Sequence, residues 1–96
     1  MARSAGRLLR SGVVMAVRVL YFAALREALG VSEETLDLPP GVATAGALAE
    51  LLAMRHGAYR ERRAHVRMAV NEAFVGDGAR VGDGDVVALI PPVAGG

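Results

Sequence analysis

The sequence predicts an α+β domain in which a mixed sheet of about five strands is crossed by one main helix and followed by an extended C-terminal tail. Short β-branched or apolar runs stand at 17–22, 34–38, 66–70, 73–75 and 86–90. Gly, Pro, Asn or Asp, the residues that punctuate strands, separate most of them. One longer stretch after Thr44 repeats leucine at helical spacing. The chain of 96 residues supports a single modest core. Its 53% hydrophobic and 22% charged content is globular rather than disordered. Aromatics are only 4%, so Val, Leu, Ala and Ile must build that core.

The elements follow in order. Val17, Val19 and Tyr21 share one face of the first strand, and Arg18, Leu20 and Phe22 the other, so both faces carry apolar groups. AALREAL is a short helical turn, with Gly30 where a left-handed residue closes it. Glu34 to Leu38 alternates as a second strand and stops at Pro39-Pro40-Gly41. Thr44 caps the main helix, and Leu48, Leu51, Leu52 and the stem of Arg55 recur along it. Arg55 and His56 suit the negative end of its dipole, and Gly57 is expected to close it. Tyr59 to His65 reads as an Arg-rich surface connection with some helical character. Val66 to Val70 is a strand, Asn71-Glu72 a turn, and Ala73 to Val75 the return. Gly76-Asp77-Gly78 and Gly82-Asp83-Gly84-Asp85 are turns, and Val86 to Ile90 is the last strand. An opening strand pair crossed by one helix, with later strands completing a mixed sheet, is the β-grasp arrangement.

Composition excludes several chemistries. The chain has no cysteine, which removes disulfides, thiolate metal sites and a cysteine nucleophile. All 11 basic residues are Arg, so a phosphate loop with its lysine is absent. His56 and His65 lack neighbours at metal-ligand spacing and read as surface residues. Asp77, Asp83 and Asp85 lack the spacing and terminal Glu of a calcium loop. No metal is expected. Arg3, Arg7 and Arg10 stand without an acid in residues 1–14, leaving eight Arg against ten acids in 15–96, a net charge of −2. That balance gives little support to nucleic-acid binding. Arg10 and Arg18 interrupt the apolar runs that a secretory signal needs, and no run is long enough to span a membrane, so a cytoplasmic protein is expected. Residues 1–14 read as an extension or an upstream start before Met15, residues 15–90 as the domain, and 91–96 as a functional tail.

The tail runs Pro91-Pro92-Val93-Ala94-Gly95-Gly96. Paired prolines end the strand and favour a stiff stem, and the residues then shrink to glycine. Such a terminus can enter a narrow channel and present its carboxylate to another protein's active site. This ending, within GDGDVVALIPPVAGG, joins MAVRVLYFAALREALG and VRMAVNEAFVG in a pattern that resembles the small subunits of molybdopterin synthase, ubiquitin-like sulfur carriers. The resemblance covers residues 15–96, and its Pro-Pro-Val-x-Gly-Gly ending differs from the related thiamine-thiazole carriers.

The resemblance implies a carrier rather than an autonomous enzyme. An adenylyltransferase resembling ubiquitin's activating enzyme would use ATP to adenylate Gly96. A sulfur donor such as a cysteine desulfurase or rhodanese-like protein would convert it to a thiocarboxylate. Pro91, Pro92, Val93, Ala94 and Gly95 would then enter the large subunit, with which two small subunits form a heterotetramer of two and two. Sulfur would pass to cyclic pyranopterin monophosphate. Phe22, Arg26, Phe74 and Ile90 match positions that face the large subunit, and the chain itself would hold no cofactor. Competing expectations are a carrier for thiazole synthesis or transfer-RNA thiolation, and a β-grasp binding module whose tail is idle.

Overall fold

In the computed structural model, which describes residues 15–92, alternation in the first segment defines the inner face of the sheet. Strand β1 (Met15–Tyr21) buries Val17, Val19 and Tyr21 and exposes Arg18. Phe22, expected as the last strand residue, instead forms the N-cap of helix α1 (Ala23–Leu29). Its carbonyl accepts from the Leu25 and Arg26 N–H groups at 3.1 and 3.2 Å. Ala23 enters the helix at φ 52, a left-handed conformation that costs an L-residue about 1–2 kcal/mol. Gly30 closes α1 at φ 79 and donates to the Arg26 carbonyl at 2.9 Å. Strand β2 (Glu33–Leu38) then returns antiparallel to β1, with Leu38 opposite Met15.

Helix α2 (Ala45–Arg55) starts at Thr44, whose Oγ1 accepts from the Ala47 N–H at 3.2 Å. Its buried face alternates large and small residues: Leu48 and Leu52 are fully enclosed among Ala45, Ala49 and Ala53. Enclosing each leucine contributes about 2 kcal/mol. At Gly46 the helix approaches the loop so closely that a Cβ would lie 3.0 Å from that of Asp77.

Gly57 does not end the helix. His56 leaves α2 in an extended conformation (φ −130), and Gly57 instead begins helix α3 (Gly57–Arg62). The expected surface connection is also only partly a surface. Tyr59 is 2% exposed and belongs to the core, because α3 turns its ring inward while its arginines remain outside. A 3-10 turn (Arg63–His65) leads to β3.

Strands β3 (Arg67–Val70) and β4 (Ala73–Val75) form a tight hairpin. Asn71 and Glu72 take φ 51 and 74, the pair of positive angles that matches a two-residue turn to strand twist. Asn71 also binds strand β5 (Val86–Ile90): its Oδ1 accepts from the Val86 N–H at 3.0 Å, and its N–H donates to the Val86 carbonyl at 2.8 Å. The glycine-aspartate loop before β5 is fastened to β1, where the Ala16 N–H donates to Asp83 Oδ1 at 2.8 Å. Strand β5 runs parallel to β1 and antiparallel to β3, giving the order β2-β1-β5-β3-β4. This is the β-grasp topology, with the last strand at its centre. No helix among the described residues is long and apolar enough to cross a membrane.

Candidate functional site

The central position of β5 determines where the tail begins. Leu89 is opposite Tyr21 and Ile90 is opposite Arg67, so a ladder holds the strand to Leu89 on the β1 side and to its last residue on the β3 side. Pro91 is buried against the body, and Pro92 is exposed. Val93, Ala94, Gly95 and Gly96, on which the carrier chemistry was expected, lie outside the described residues.

The outer face of the sheet, opposite the helices, carries an apolar row. Leu20, Ala88, Ala69 and Phe74 are successive register partners across β1, β5, β3 and β4. Phe74 ends this row 53% exposed, and the Arg67 guanidinium lies 3.7 Å from its ring centroid. Towards the tail, Arg67 faces half-buried Ile90, and Phe22 follows β1 at 41% exposure. Phe22, Ile90 and Phe74 therefore lie along one end of the outer face, linked by Arg67. Arg26 is exposed on α1, and its guanidinium makes no hydrogen bond or ion pair with a described residue. Arg67 is a member of this surface that the sequence did not single out. The alternation of VRMAV, which places Arg67 opposite to Met68, was the available signal.

A second group of side chains braces this end from the inside. The Tyr21 hydroxyl donates to Glu34 Oε2, and His56 Nε2 donates to the same oxygen at 2.7 Å. Arg55 lies 3.8 Å from the other carboxylate oxygen. The Tyr21 ring meets His56 edge-on at 5.7 Å between centroids. His56 is thus a bound, half-buried residue, not the free surface histidine expected, because the end of α2 carries it onto β2. Burial pushes the Tyr21 hydroxyl far above its ordinary range, and the Glu34 hydrogen bond adds to that shift. Burial works against ionised Glu34, but hydrogen bonds from Tyr21 and His56, with the charges of His56 and Arg55, hold its carboxyl below the ordinary value.

This arrangement predicts acid sensitivity. A folded-state value below the unfolded value of about 4.3 stabilises the fold above that pH, and the stabilisation is lost as pH falls through the folded value. Glu34→Ala also leaves the Tyr21 hydroxyl, in a residue 1% exposed, without its acceptor, at a cost of about 1–3 kcal/mol. Thermal melts between pH 7 and pH 3 should show a smaller acid-dependent fall in the variant; an identical fall would exclude Glu34 as the titrating group.

Among the described residues, no group of three or more His, Cys, Asp or Glu side chains could share a metal ion. The described body contributes an apolar outer face and a tail root held in the sheet. These features define a ubiquitin-like β-grasp domain whose chain leaves the sheet at the end of the central strand.

The chain belongs to the ThiS family, which it matches over residues 19–96. It is 40% identical over 84 residues to a Chlamydomonas reinhardtii protein named molybdopterin synthase sulfur carrier subunit, covering 85% of this chain and all of that one. Its fold superposes on a Pyrococcus furiosus protein described as a putative molybdopterin converting factor subunit 1, with TM-score 0.72, 38% identity and coverage of 82% of this chain and 99% of that one. SAMP1 from Haloferax volcanii is similar with TM-score 0.74 and 29% identity, covering 84% of this chain and 99% of the other.

Proposed function

We propose that this chain is the sulfur-carrier subunit of a molybdopterin synthase and that Gly96 is the carrier atom's attachment point. The observation that carries the reading is the family match running to residue 96, with sulfur-carrier subunits among its relatives. In this reading an adenylyltransferase joins the Gly96 carboxylate to AMP, releasing pyrophosphate from ATP. The terminal sulfur of a donor's persulfide then displaces AMP at the acyl carbon, and a second thiol, supplied by the donor or the activating enzyme, cleaves the acyl disulfide so formed, leaving a disulfide behind and releasing the thiocarboxylate. The resulting thiocarboxylate is ionised at neutral pH and is a soft nucleophile, as reactive sulfur anions are.

The tail enters the large subunit and presents this sulfur to cyclic pyranopterin monophosphate. The sulfur bonds to a side-chain carbon of the pterin and expels the oxygen substituent there, water cleaves the acyl–sulfur bond, and Gly96 returns to a carboxylate. The body contributes no reacting group: it holds the tail root rigid and docks the large subunit through Phe22, Phe74 and Ile90, with Arg26 at the margin. Preorganisation of the root lowers the ordering cost when the tail threads its channel. The assembly is two small and two large subunits, and the chain holds no cofactor of its own.

The absence of cysteine makes the test direct. Protein purified from its own cells and treated with a thiol alkylator should carry the alkyl group on Gly96, located by fragmentation of the C-terminal peptide. An unmodified Gly96, even after incubation with activating enzyme, ATP and sulfur donor, would leave an idle-tailed β-grasp module as the better account. Recovery of a thiazole synthase in place of a molybdopterin synthase large subunit would redirect the carrier to thiamine.

A further inference from the structure

A cavity of about 160 Å³, open on one side, lies between the start of α2 and the β3–β4 hairpin, on the flank of the domain away from β2. Ala45 and Ala49 of α2, Met68 of β3 and Val75 of β4 give it an apolar lining, to which Tyr59, Arg63 and Asp77 add polar side chains. Asp77 stands there because Gly46 lets the loop lie against α2. The Gly46 N–H donates to the Asp77 carbonyl at 2.8 Å, and a Cβ at 46 would be 3.0 Å from that of Asp77.

Two of these groups have acceptor capacity that the domain does not use. Tyr59 is 2% exposed, yet its hydroxyl makes no hydrogen bond with a described residue, whereas buried hydroxyls ordinarily have a partner. Burial pushes this hydroxyl up and keeps it protonated at neutral pH. The charges that act on it are those of Arg63, Asp77 and Glu50, so it points to the end of the cavity where they stand. The Asp77 carboxylate likewise has no hydrogen bond or ion pair with a described residue. Neighbouring donors are engaged elsewhere. Arg63 bonds Glu50 at 3.0 Å, and the Arg67 guanidinium lies over the Phe74 ring. The N–H groups at the start of α2 are taken by the Ala79 and Asp77 carbonyls and by Thr44 Oγ1. With Glu50 neutralising Arg63, the negative charge of Asp77 remains.

We infer that this cavity is a binding site for an ammonium group carried on a short aliphatic stem. The stem lies along Ala45, Ala49, Met68 and Val75, and the ammonium donates to the Asp77 carboxylate and the Tyr59 hydroxyl oxygen. An ammonium suits the site better than a guanidinium because it is compact and its donors rotate to meet two acceptors. A carboxylate or phosphate would meet Asp77 with like charge and find Arg63 already paired. The site lies on the helix side of the sheet, opposite the apolar outer face, and the inference is independent of the carrier reading.

The test titrates the isotopically labelled full chain with n-butylammonium chloride at pH 7 and follows backbone amide NMR signals. Saturable shifts should be confined to residues around the cavity, Ala49, Gly76 and Asp77 among them, with half-saturation at about 1–10 mM, as befits so small a probe. Butyrate, with a similar stem and the opposite charge, should give none. Asp77→Asn removes only the charge and Tyr59→Phe only the hydroxyl, and each should weaken binding about tenfold or more. Tyr59→Phe, whose lost hydroxyl bonds no described residue, keeps the test decisive if Asp77→Asn loosens the loop. Large-subunit affinity that falls in Asp77→Asn assigns the ammonium to a lysine of that protein, and unchanged affinity assigns it to a free amine; both uphold the site. No saturable shift by about 50 mM probe, an equal response to butyrate, or probe affinity unchanged in both variants overturns the inference.

Discussion

Deleting Gly96 is expected to abolish sulfur transfer while leaving thermal stability unchanged. Removing one residue from an extended terminus retracts the carboxylate by about 3.5 Å. A misplacement of 1 Å can cost about 100-fold in rate, so a shift of this size should remove more than about 10³-fold of activity. The core residues identified in the body lie at or before Leu89, so the fold loses no known core contact. Gly95→Leu is the companion variant. It keeps the length and the terminal carboxylate but places a branched side chain where the proposed channel accepts only backbone. Adenylation and thiocarboxylate formation, followed by mass spectrometry, should both fail in the deletion. Normal activity in the deletion would refute the carrier mechanism.

Phe74→Arg should weaken large-subunit binding by about 2 kcal/mol, roughly thirtyfold, with little effect on the isolated domain. The ring is 53% exposed and ends an apolar row made by Leu20, Ala88 and Ala69, so it fits the role of an aromatic interface anchor. The substitution removes that anchor and sets a second guanidinium beside Arg67. Within the monomer it forfeits one cation–π contact at an exposed site, about 0.5–1 kcal/mol. Calorimetric titration with the large subunit and a thermal melt of the free chain separate the two effects. A collapse of the melting transition would identify Phe74 as a core residue and withdraw it from the interface.

The two variants separate the tail from the apolar face proposed to dock the large subunit. Tail deletion should leave binding through the apolar face largely in place, because Phe22, Ile90 and Phe74 remain. Phe74→Arg should leave activation chemistry at Gly96 possible whenever the activating enzyme does not use the same face. A preserved thiocarboxylate in Phe74→Arg, combined with lost transfer to the pterin, would assign the apolar face to the large subunit in particular.

Local signals account for much of the fold. Thr44 caps its helix, Gly30 ends α1, Asn71-Glu72 turns the hairpin, and paired prolines follow the last strand, each through backbone chemistry confined to a few neighbouring residues. The misread positions have a different character. Gly57 carries the usual mark of a helix end, yet His56 breaks the helix first because its ring reaches Glu34, 22 residues earlier. Tyr59 sits in an arginine-rich stretch that reads as surface, and only the packing of α3 against the core shows its ring to be enclosed.

By itself the sequence determined the order of elements, the absence of any sulfur-bearing side chain but methionine, and the resemblance that points to Gly96. These follow from covalent order and local conformational preference. Only the tertiary structure placed β5 between β1 and β3, set Ile90, Arg67 and Phe74 on one surface, and gathered Tyr21, Glu34, His56 and Arg55. Those relations depend on strand register and helix packing between residues far apart in the chain, which no local pattern encodes.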